Sequence, residues 1–420
     1  MIPAKIGSHT TPIKVAGKGS ERTRLPPIKL NLLALTNNVK VKCELCNQWG
    51  SLQCAHCRVT YYCCEEHMEL DRTLHEDICH RIEMLRQPIE FSPSQDTRER
   101  MKKQKRVLLE EMYEYTYRQG QTSMEAGQYD KAIPAAVVSA KYAREIWGTS
   151  AEVIPPLLVA AECYVNKGKL GTADGFLARV LCIELETTNL KPSIKARIKR
   201  NEGLIHQAKI NYQDALECYA EEIYQNTEEF GPTHIRTSGG YCYLGHMFQL
   251  KANELTALSL YRQTVDIWIN TVDPILDEMT SQPDVPVIGA LKPQQEKQWM
   301  YECDKLEGLK ILTKCYTHLK EMVTIEMPAM DIIRSIYAIG CIMYMNERYM
   351  EGKNRAQEGI TWCNEKNLKA HPIHKKLLAL NKYCERKIYK EDKSLLESQS
   401  MDNIRTEIRL DSRSGLNLAI

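Results

Sequence analysis

The chain has 420 residues, of which 43% are hydrophobic and 26% charged, and its formal net charge at pH 7 is +2. This composition is ordinary for a globular protein of two or three domains. The small net charge gives no global reason to expect nucleic acid or an anionic membrane as a partner. The sequence has no run of about 18 apolar residues and no apolar core of a secretory signal near its start, so we expect a cytoplasmic protein without membrane spans.

Residues 1–42 are basic and contain four prolines. They carry eight Lys or Arg against one acidic residue, with little hydrophobic periodicity. This pattern predicts a basic, mostly disordered arm. The simplest interpretation is a solvated tail without a partner. The alternative is that the arm touches an acidic surface, such as the acidic tails of tubulin.

Residues 43–80 hold seven of the sixteen cysteines and four of the eleven histidines. In a reducing compartment, such a dense cluster favours metal binding over disulfides. The candidate ligands occur in four pairs, which are Cys43 and Cys46, Cys54 and Cys57, Cys63 and His67, and His75 and Cys79. A spacing of two residues lets two sulfurs converge on one ion, and a spacing of three on a helix puts both ligands on one face. Eight ligands predict two tetrahedral zinc sites, because thiolate and imidazole select zinc over calcium or magnesium.

With four protein ligands on each ion, no coordination position is left for water or substrate. We therefore expect both zinc ions to be structural, and metal binding to supply most of the folding free energy of this short segment. Cys64, His56 and His80 are the other members of the cluster, and we expect them not to be ligands.

Helical repeats dominate the rest of the chain. Four segments that begin at Gly120, Ala161, Gly203 and Gly245 each have an alanine twelve residues later. These alanines, at positions 132, 173, 215 and 257, are 41, 42 and 42 residues apart. Small residues at such intervals let two helices of a hairpin approach closely, so the spacing predicts an array of helix-turn-helix repeats. Gly340 and Gly352 mark a fifth copy.

The sequence therefore predicts a mainly α protein in which a small two-zinc finger at 43–80 precedes an α-solenoid at 106–396. Residues 81–105 read as a linker and the start of the first helix. A loop insertion is expected near 272–295, and a helical run from Glu296 to about Met322 reads as a degenerate repeat. Residues 397–420 are predicted to be a polar tail. Five single cysteines at helical spacing are expected to be core residues and not reactive thiols, namely Cys163, Cys182, Cys218, Cys242 and Cys341.

The ligand order, with the sequence YYC at 61–63 ahead of the third pair, resembles the MYND zinc finger. That family interleaves its two sites, so the resemblance implies one zinc on Cys43, Cys46, Cys63 and His67 and the other on Cys54, Cys57, His75 and Cys79. His67 stands where most members have cysteine, a change that zinc tolerates. Arg72 stands where the family usually has a tryptophan that helps to form a groove for proline-containing peptides, which counts against peptide binding here.

From Arg106 to about Thr271, the repeats resemble tetratricopeptide repeats in a longer variant of about 42 residues. The order of finger and repeats, with IRTSGGYCYLGHMF at 235–248, resembles a group of MYND and tetratricopeptide proteins of the ciliary axoneme. The resemblance implies a non-catalytic component of the cilium or flagellum. Its implied partners are inner dynein arm components and another tetratricopeptide protein, and its implied role is in flagellar beating.

An enzyme is the competing class, because MYND fingers also occur in a family of lysine methyltransferases. Such an enzyme needs a Gly-rich cofactor segment before the finger and an Asn-His-Ser-Cys type motif after it, and the sequence has neither. It also lacks phosphate-loop, nucleophile-elbow and zinc-protease motifs. We therefore expect a scaffold or adaptor without catalysis. The alternative is a cytosolic or nuclear co-regulator that recruits proline-containing peptides through the finger.

A solenoid of helix pairs offers an extended groove lined by the first helix of each repeat. Projecting the repeat register onto the third and fourth copies predicts polar side chains in this groove. They are Arg197, Arg200, Asn201, Gln207, His246 and Gln249. The alternative is an ordinary polar face without a ligand.

Overall fold

The structure is a computed structural model that describes residues 26–30, 41–87, 94–281, 300–322, 328–390 and 393. The chain divides into two compact units, Met1–Glu90 and Phe91–Ile420, and each is described by itself. Among the described residues, none of the helices has the length and apolar character that crossing a membrane requires. The predicted polar tail at 397–420 lies outside the described residues.

The first unit combines a small sheet with one helix. Strands β1 (Ile28–Lys29), β2 (Leu52–Gln53) and β3 (Tyr61–Tyr62) form an antiparallel sheet in that order. Helix α1 (Glu65–Arg86) follows β3. Strand β1 lies within the predicted disordered arm, so a short part of that arm belongs to the sheet, while 1–25 and 31–40 lie outside the described residues.

Helix α1 also continues past the predicted end of the finger. Residues 81–86 were predicted to be linker but form its last turns. The physical reason is burial, because Ile82 and Leu85 are almost fully shielded from solvent. They extend the apolar stripe of Ile78, which lies four residues before Ile82.

The second unit is a consecutive array of helical hairpins, which confirms the predicted mainly α, solenoid-like fold. Its helices are α2 (Gln95–Glu125), α3 (Tyr129–Trp147), α4 (Ile154–Asn166), α5 (Leu170–Glu186), α6 (Pro192–Ala208), α7 (Tyr212–Phe230), α8 (Ile235–Leu250), α9 (Glu254–Ser281), α10 (Glu302–Glu321), α11 (Ala329–Met345), α12 (Tyr349–Glu365) and α13 (372–390). The hairpins are α2/α3, α4/α5, α6/α7, α8/α9 and α11/α12.

The small residues of the repeat leave room for an aromatic ring. A Cβ placed on Gly203 would lie 2.6 Å from the ring of Tyr219, whose hydroxyl donates a hydrogen bond of 2.8 Å to Gln207. The fourth copy repeats this arrangement, because a Cβ on Gly245 would lie 2.9 Å from the ring of Tyr261. Close approach of the two helices in the third and fourth hairpins therefore depends on glycine at these positions.

The turn between the two helices of a hairpin has the same backbone form in successive copies. One residue in each turn has a positive φ, and these are Gly127, Gly168, Ile210, Ala252 and Glu347. Left-handed backbone costs little for glycine but roughly 1–2 kcal/mol for residues that carry a Cβ. Ile210 is the least favourable of the five, since its side chain is also branched at Cβ.

Helix α9 extends into the segment predicted as a loop insertion. It continues to Ser281 and includes Pro274. Trp268, Val272 and Leu276 lie four residues apart and are all buried, so one apolar stripe runs into the predicted loop and sustains the helix. The rest of that segment, 282–299, lies outside the described residues.

Helix α10 does not pair as another hairpin of the array. It lies along the inner face, by which we mean the face formed by the first helices of the first four hairpins, α2, α4, α6 and α8. Its side chains contact Glu125 on α2, Glu162 on α4, Arg200 on α6 and Cys242 on α8. The predicted degenerate repeat is therefore a single helix seated on the inner face.

Candidate metal centre and inner face

The structure brings the cysteine and histidine pairs of the first unit together in two groups. The first group consists of Cys43, Cys46, Cys63 and His67, whose ligand atoms all lie within 4.8 Å of one another. The Nδ1 atom of His67 is 3.1 Å from the sulfur of Cys63 and 3.5 Å from that of Cys43. Two ligands come from the loop before β2, and two come from the end of β3 and the first turn of α1.

The second group consists of Cys54, Cys57, His75 and Cys79, again with all ligand atoms within 4.8 Å of one another. The Nε2 atom of His75 is 3.2 Å from the sulfur of Cys54 and 3.6 Å from that of Cys57. His75 and Cys79 lie one helical turn apart on α1, as the spacing of the pair predicts. Cys57, His75 and Cys79 are buried, so this group is more enclosed than the first.

Both groups can hold a metal ion. Each offers three sulfurs and one imidazole nitrogen, a donor set that structural metal sites use in tetrahedral geometry. The grouping is interleaved, because the first and third pairs meet in one group and the second and fourth in the other. This is the arrangement that the MYND resemblance implies.

Polar contacts hold α1 against the loops that carry the other ligands. The guanidinium of Arg86 donates two hydrogen bonds, of 2.9 and 2.7 Å, to the carboxylate of Glu44, which lies between two ligands of the first group. Arg86 also donates to the carbonyl of Val59 at 2.8 Å. Near the start of α1, the hydroxyl of Tyr62 donates to Asp71 at 2.7 Å, and burial together with this carboxylate raises the pKa of Tyr62.

The residues that we expected not to be ligands lie outside both groups. Cys64 is next to Cys63, with 3.5 Å between the sulfurs, and His56 and His80 are exposed. Arg72, at the position of the family's tryptophan, forms an ion pair with Glu69 one turn earlier on α1.

On the inner face of the second unit, the predicted groove residues contact other parts of the same chain. Arg200 forms ion pairs with Glu222 on α7 and with Glu307 on α10. Arg197 donates to the hydroxyl of Tyr117 at 3.2 Å, and the amide of the buried Asn201 donates to the Arg197 carbonyl at 3.0 Å.

Of the other three groove residues, His246 and Gln249 contact the second half of α10. The rings of His246 and His318 are stacked with centroids 4.2 Å apart, and Gln249 donates to the carbonyl of His318 at 3.4 Å. Gln207 lies 3.3 Å from Nδ1 of His246. Burial and the neighbouring His318 lower the pKa of His246 to about 4. Three of the six predicted residues thus contact α10, and their role in binding a partner stays a prediction.

Sequence reasoning missed a buried network of charges on this face. Lys310 on α10 lies 3.1 Å from Glu125 and 2.8 Å from Glu162, and Arg200 similarly joins Glu222 and Glu307. In each case one cation forms ion pairs with two carboxylates. Burial raises the pKa of Glu222 to about 7 despite Arg200, whereas for Glu162 the attraction of Lys310 outweighs burial and lowers the pKa to about 2. Arg200 and Glu222 are 22 positions apart, but the three pairs that involve α10 join residues 107 to 185 positions apart, so no local pattern indicates them.

No protein-family model matches the chain.

Proposed function

We propose that the protein is a non-catalytic adaptor of the ciliary or flagellar axoneme, where it holds protein partners associated with inner dynein arms. The observation that carries the adaptor role is the array of helical hairpins, which presents long helical surfaces to a protein partner. The axonemal location and the inner dynein arm partners are supported by the sequence resemblance alone. Their test is therefore made in a ciliated cell.

In this proposal, the two cysteine and histidine groups each bind a structural zinc ion. Sulfur and imidazole donors suit zinc, which when bound adds folding free energy. Four ligands fill the tetrahedral positions, so neither group offers a place for a substrate. The chain's own contribution is to fix the ligand-bearing loops on α1, through contacts such as that of Arg86 with Glu44.

We place the partner surface on the inner face with α10 seated in it. The side of α10 that faces solvent includes Thr313 and Thr317, which are exposed. Their hydroxyls donate to carbonyls four residues earlier on the helix, so these two hydrogen bonds stay within α10. A partner that binds this composite surface must contact these positions, and a helix is the element best suited to lie along α10.

The experiment replaces both threonines by arginine in the tagged full-length chain and measures recovery of co-purifying proteins from ciliated cells. The matched control is Thr361→Arg on α12, where an exposed threonine hydroxyl also donates four residues back. We expect the double variant to lose inner dynein arm components and the control to retain them. Equal recovery of these components with the double variant and with the control would refute the proposed partner surface.

Localisation of the same tagged chains tests the cellular part of the proposal. We expect the wild-type protein to lie along the axoneme and to remain there after detergent extraction of the membrane. A nuclear or diffuse cytosolic distribution in ciliated cells would overturn the axonemal role and would favour the co-regulator alternative.

A further inference from the structure

Two buried cysteines from different helices meet on the inner face. The thiol of Cys315 on α10 donates to the sulfur of Cys242 on α8, with 3.3 Å between the sulfur atoms. The two residues are 73 positions apart in sequence. A disulfide requires about 2.05 Å between sulfurs, so the two sulfurs must approach by roughly 1.2 Å to form the bond.

A cavity gives small molecules access to Cys242, one member of this pair. It has a volume of about 270 Å³, is partly open to solvent, and is lined by Cys242 together with residues of α8 and α10. A water molecule occupies roughly 30 Å³ in the liquid, so hydrogen peroxide fits in the cavity. Cys242 can therefore meet a small oxidant although its own exposed fraction is only 1%.

The surroundings favour one of the two sulfurs as the nucleophile. The hydrogen bond from Cys315 and the nearby ammonium group of Lys314 lower the pKa of Cys242, whereas burial raises the pKa of Cys315. Lys314 also lines the cavity. A thiolate is the reactive form of cysteine, and a cation beside it is typical of reactive thiols.

We propose that Cys242 and Cys315 form an oxidation-sensitive pair that a small hydroperoxide converts into a disulfide between α8 and α10. The Cys242 thiolate attacks one peroxide oxygen, the O–O bond breaks, and hydroxide leaves with Cys242 as a sulfenic acid. The Cys315 thiol then attacks the Cys242 sulfur and expels water. In total, two thiols are oxidised and one hydrogen peroxide is reduced to two water molecules.

The disulfide would fasten α10 covalently to the inner face. In the reduced protein, α10 is held there by ion pairs, apolar contacts and the hydrogen bonds described above. The inference rests on the fold of the second unit and does not depend on the proposed axonemal function. It also departs from the sequence-based expectation that Cys242 is an inert core residue.

The test uses the full-length, zinc-loaded protein treated with hydrogen peroxide and digested without reduction. We expect a cross-linked pair of peptides that contain Cys242 and Cys315, two hydrogen masses lighter than their sum, and its loss on reduction. Amide exchange along α10 should become roughly tenfold slower or more after oxidation, because a cross-link suppresses opening of this helix. Cys163, which is buried and whose pKa burial raises, provides the internal control and should remain a thiol.

A variant separates the two chemical steps. In Cys315→Ser, no second thiol is available, so we expect Cys242 to accumulate as a sulfenic acid that dimedone labels. Cys242→Ala should abolish both the label and the cross-link while leaving Cys315 reduced. Absence of the cross-link in wild type, or dimedone labelling of Cys163 equal to that of Cys242, would overturn the proposal.

Discussion

The ammonium nitrogen of Lys310 lies 2.8 Å from a carboxylate oxygen of Glu162, and the Glu162 side chain is 4% exposed. The same nitrogen lies 3.1 Å from Glu125, whose side chain is 9% exposed. A single cation therefore forms ion pairs with two shielded carboxylates that belong to the first and second hairpins. Removing it leaves both carboxylates without their cation in a poorly solvated place, which makes Lys310 the most informative position for testing the structure of this face.

We expect Lys310→Met to lower the free energy of unfolding by about 3–5 kcal/mol, the usual cost of breaking a buried ion pair from one side. Urea unfolding of the full-length protein, followed by far-ultraviolet circular dichroism, measures this change. Adding Glu162→Gln to Lys310→Met should recover part of the loss, because one uncompensated charge disappears.

The matched control is Lys209→Met. Lys209 lies 2.9 Å from Asp174, but their side chains are 40% and 43% exposed. Exposed pairs contribute about 1 kcal/mol or less. Similar losses in the two lysine variants would contradict the burial of the Lys310 cluster.

Ionisation of Glu222 should make the free energy of unfolding depend on pH. Its pKa is raised from 4.5 to about 7 in the folded protein by burial. A raised pKa means that the folded state holds the proton more tightly, so this contribution to stability is full below pH 4.5 and is lost as pH rises towards 7. The loss is up to about 3 kcal/mol. The pKa of Glu162 is shifted in the opposite direction, so the contribution of Glu162 to stability is lost as pH falls from 4.5 towards 2.

Glu222→Gln removes the pH-dependent contribution of Glu222, because glutamine keeps the hydrogen bond with Arg200 but cannot ionise. We expect the slope of unfolding free energy between pH 4.5 and 7 to become less negative in this variant. Denaturant titrations at several pH values provide the measurement. An unchanged slope would show that Glu222 titrates normally in the folded chain.

Metal analysis tests the two groups of the first unit directly. We expect purified protein to contain about two zinc ions per chain, and Cys57→Ser to reduce this number to about one, because each group has its own four ligands. Cys64→Ser is the matched control, since this neighbour of Cys63 belongs to neither group, and it should retain both ions. Removal of zinc by a chelator should abolish amide protection in 41–86. Retained protection without metal would contradict a structural role.

The turn at Ile210 offers a stabilising change. Ile210 has a φ of 67° and the residue is 71% exposed, so its replacement removes backbone strain and few contacts. We expect Ile210→Gly to raise the free energy of unfolding by about 1 kcal/mol, the difference between left-handed strain and the extra flexibility of glycine in the unfolded chain. Gly168→Ala should have the opposite effect, because Gly168 has a φ of 71° in the preceding turn. Destabilisation by both changes would contradict the strained backbone at Ile210.

Much of the fold could be predicted because its determinants are local and periodic. Gly203 and Gly245 stand 42 residues apart, and each makes room for an aromatic ring sixteen residues later, so the sequence carries the register of the hairpins. The two cysteine and histidine groups could also be predicted, since cysteine and histidine at short spacings have few other uses in a small segment.

The position of α10 could not be predicted in the same way. Its sequence resembles that of a repeat helix. Contacts with residues that are distant in sequence hold α10 on the inner face. Lys310 meets Glu125 across 185 positions, and Cys315 meets Cys242 across 73. The repeat register predicts that Arg197 and Arg200 face the groove, but it says nothing about which segment of the chain contacts them.

The large sequence separation between Lys310 and its two carboxylate partners also has a consequence for folding during synthesis. During synthesis, Glu125 and Glu162 emerge from the ribosome long before residue 310, so the early hairpins first form without the lysine that pairs with these two groups in the full chain. The ion pairs of Glu125 and Glu162 with Lys310 can form only once α10 has emerged. A shortened chain that stops after α9 therefore lacks α10 and leaves Glu125 and Glu162 without Lys310.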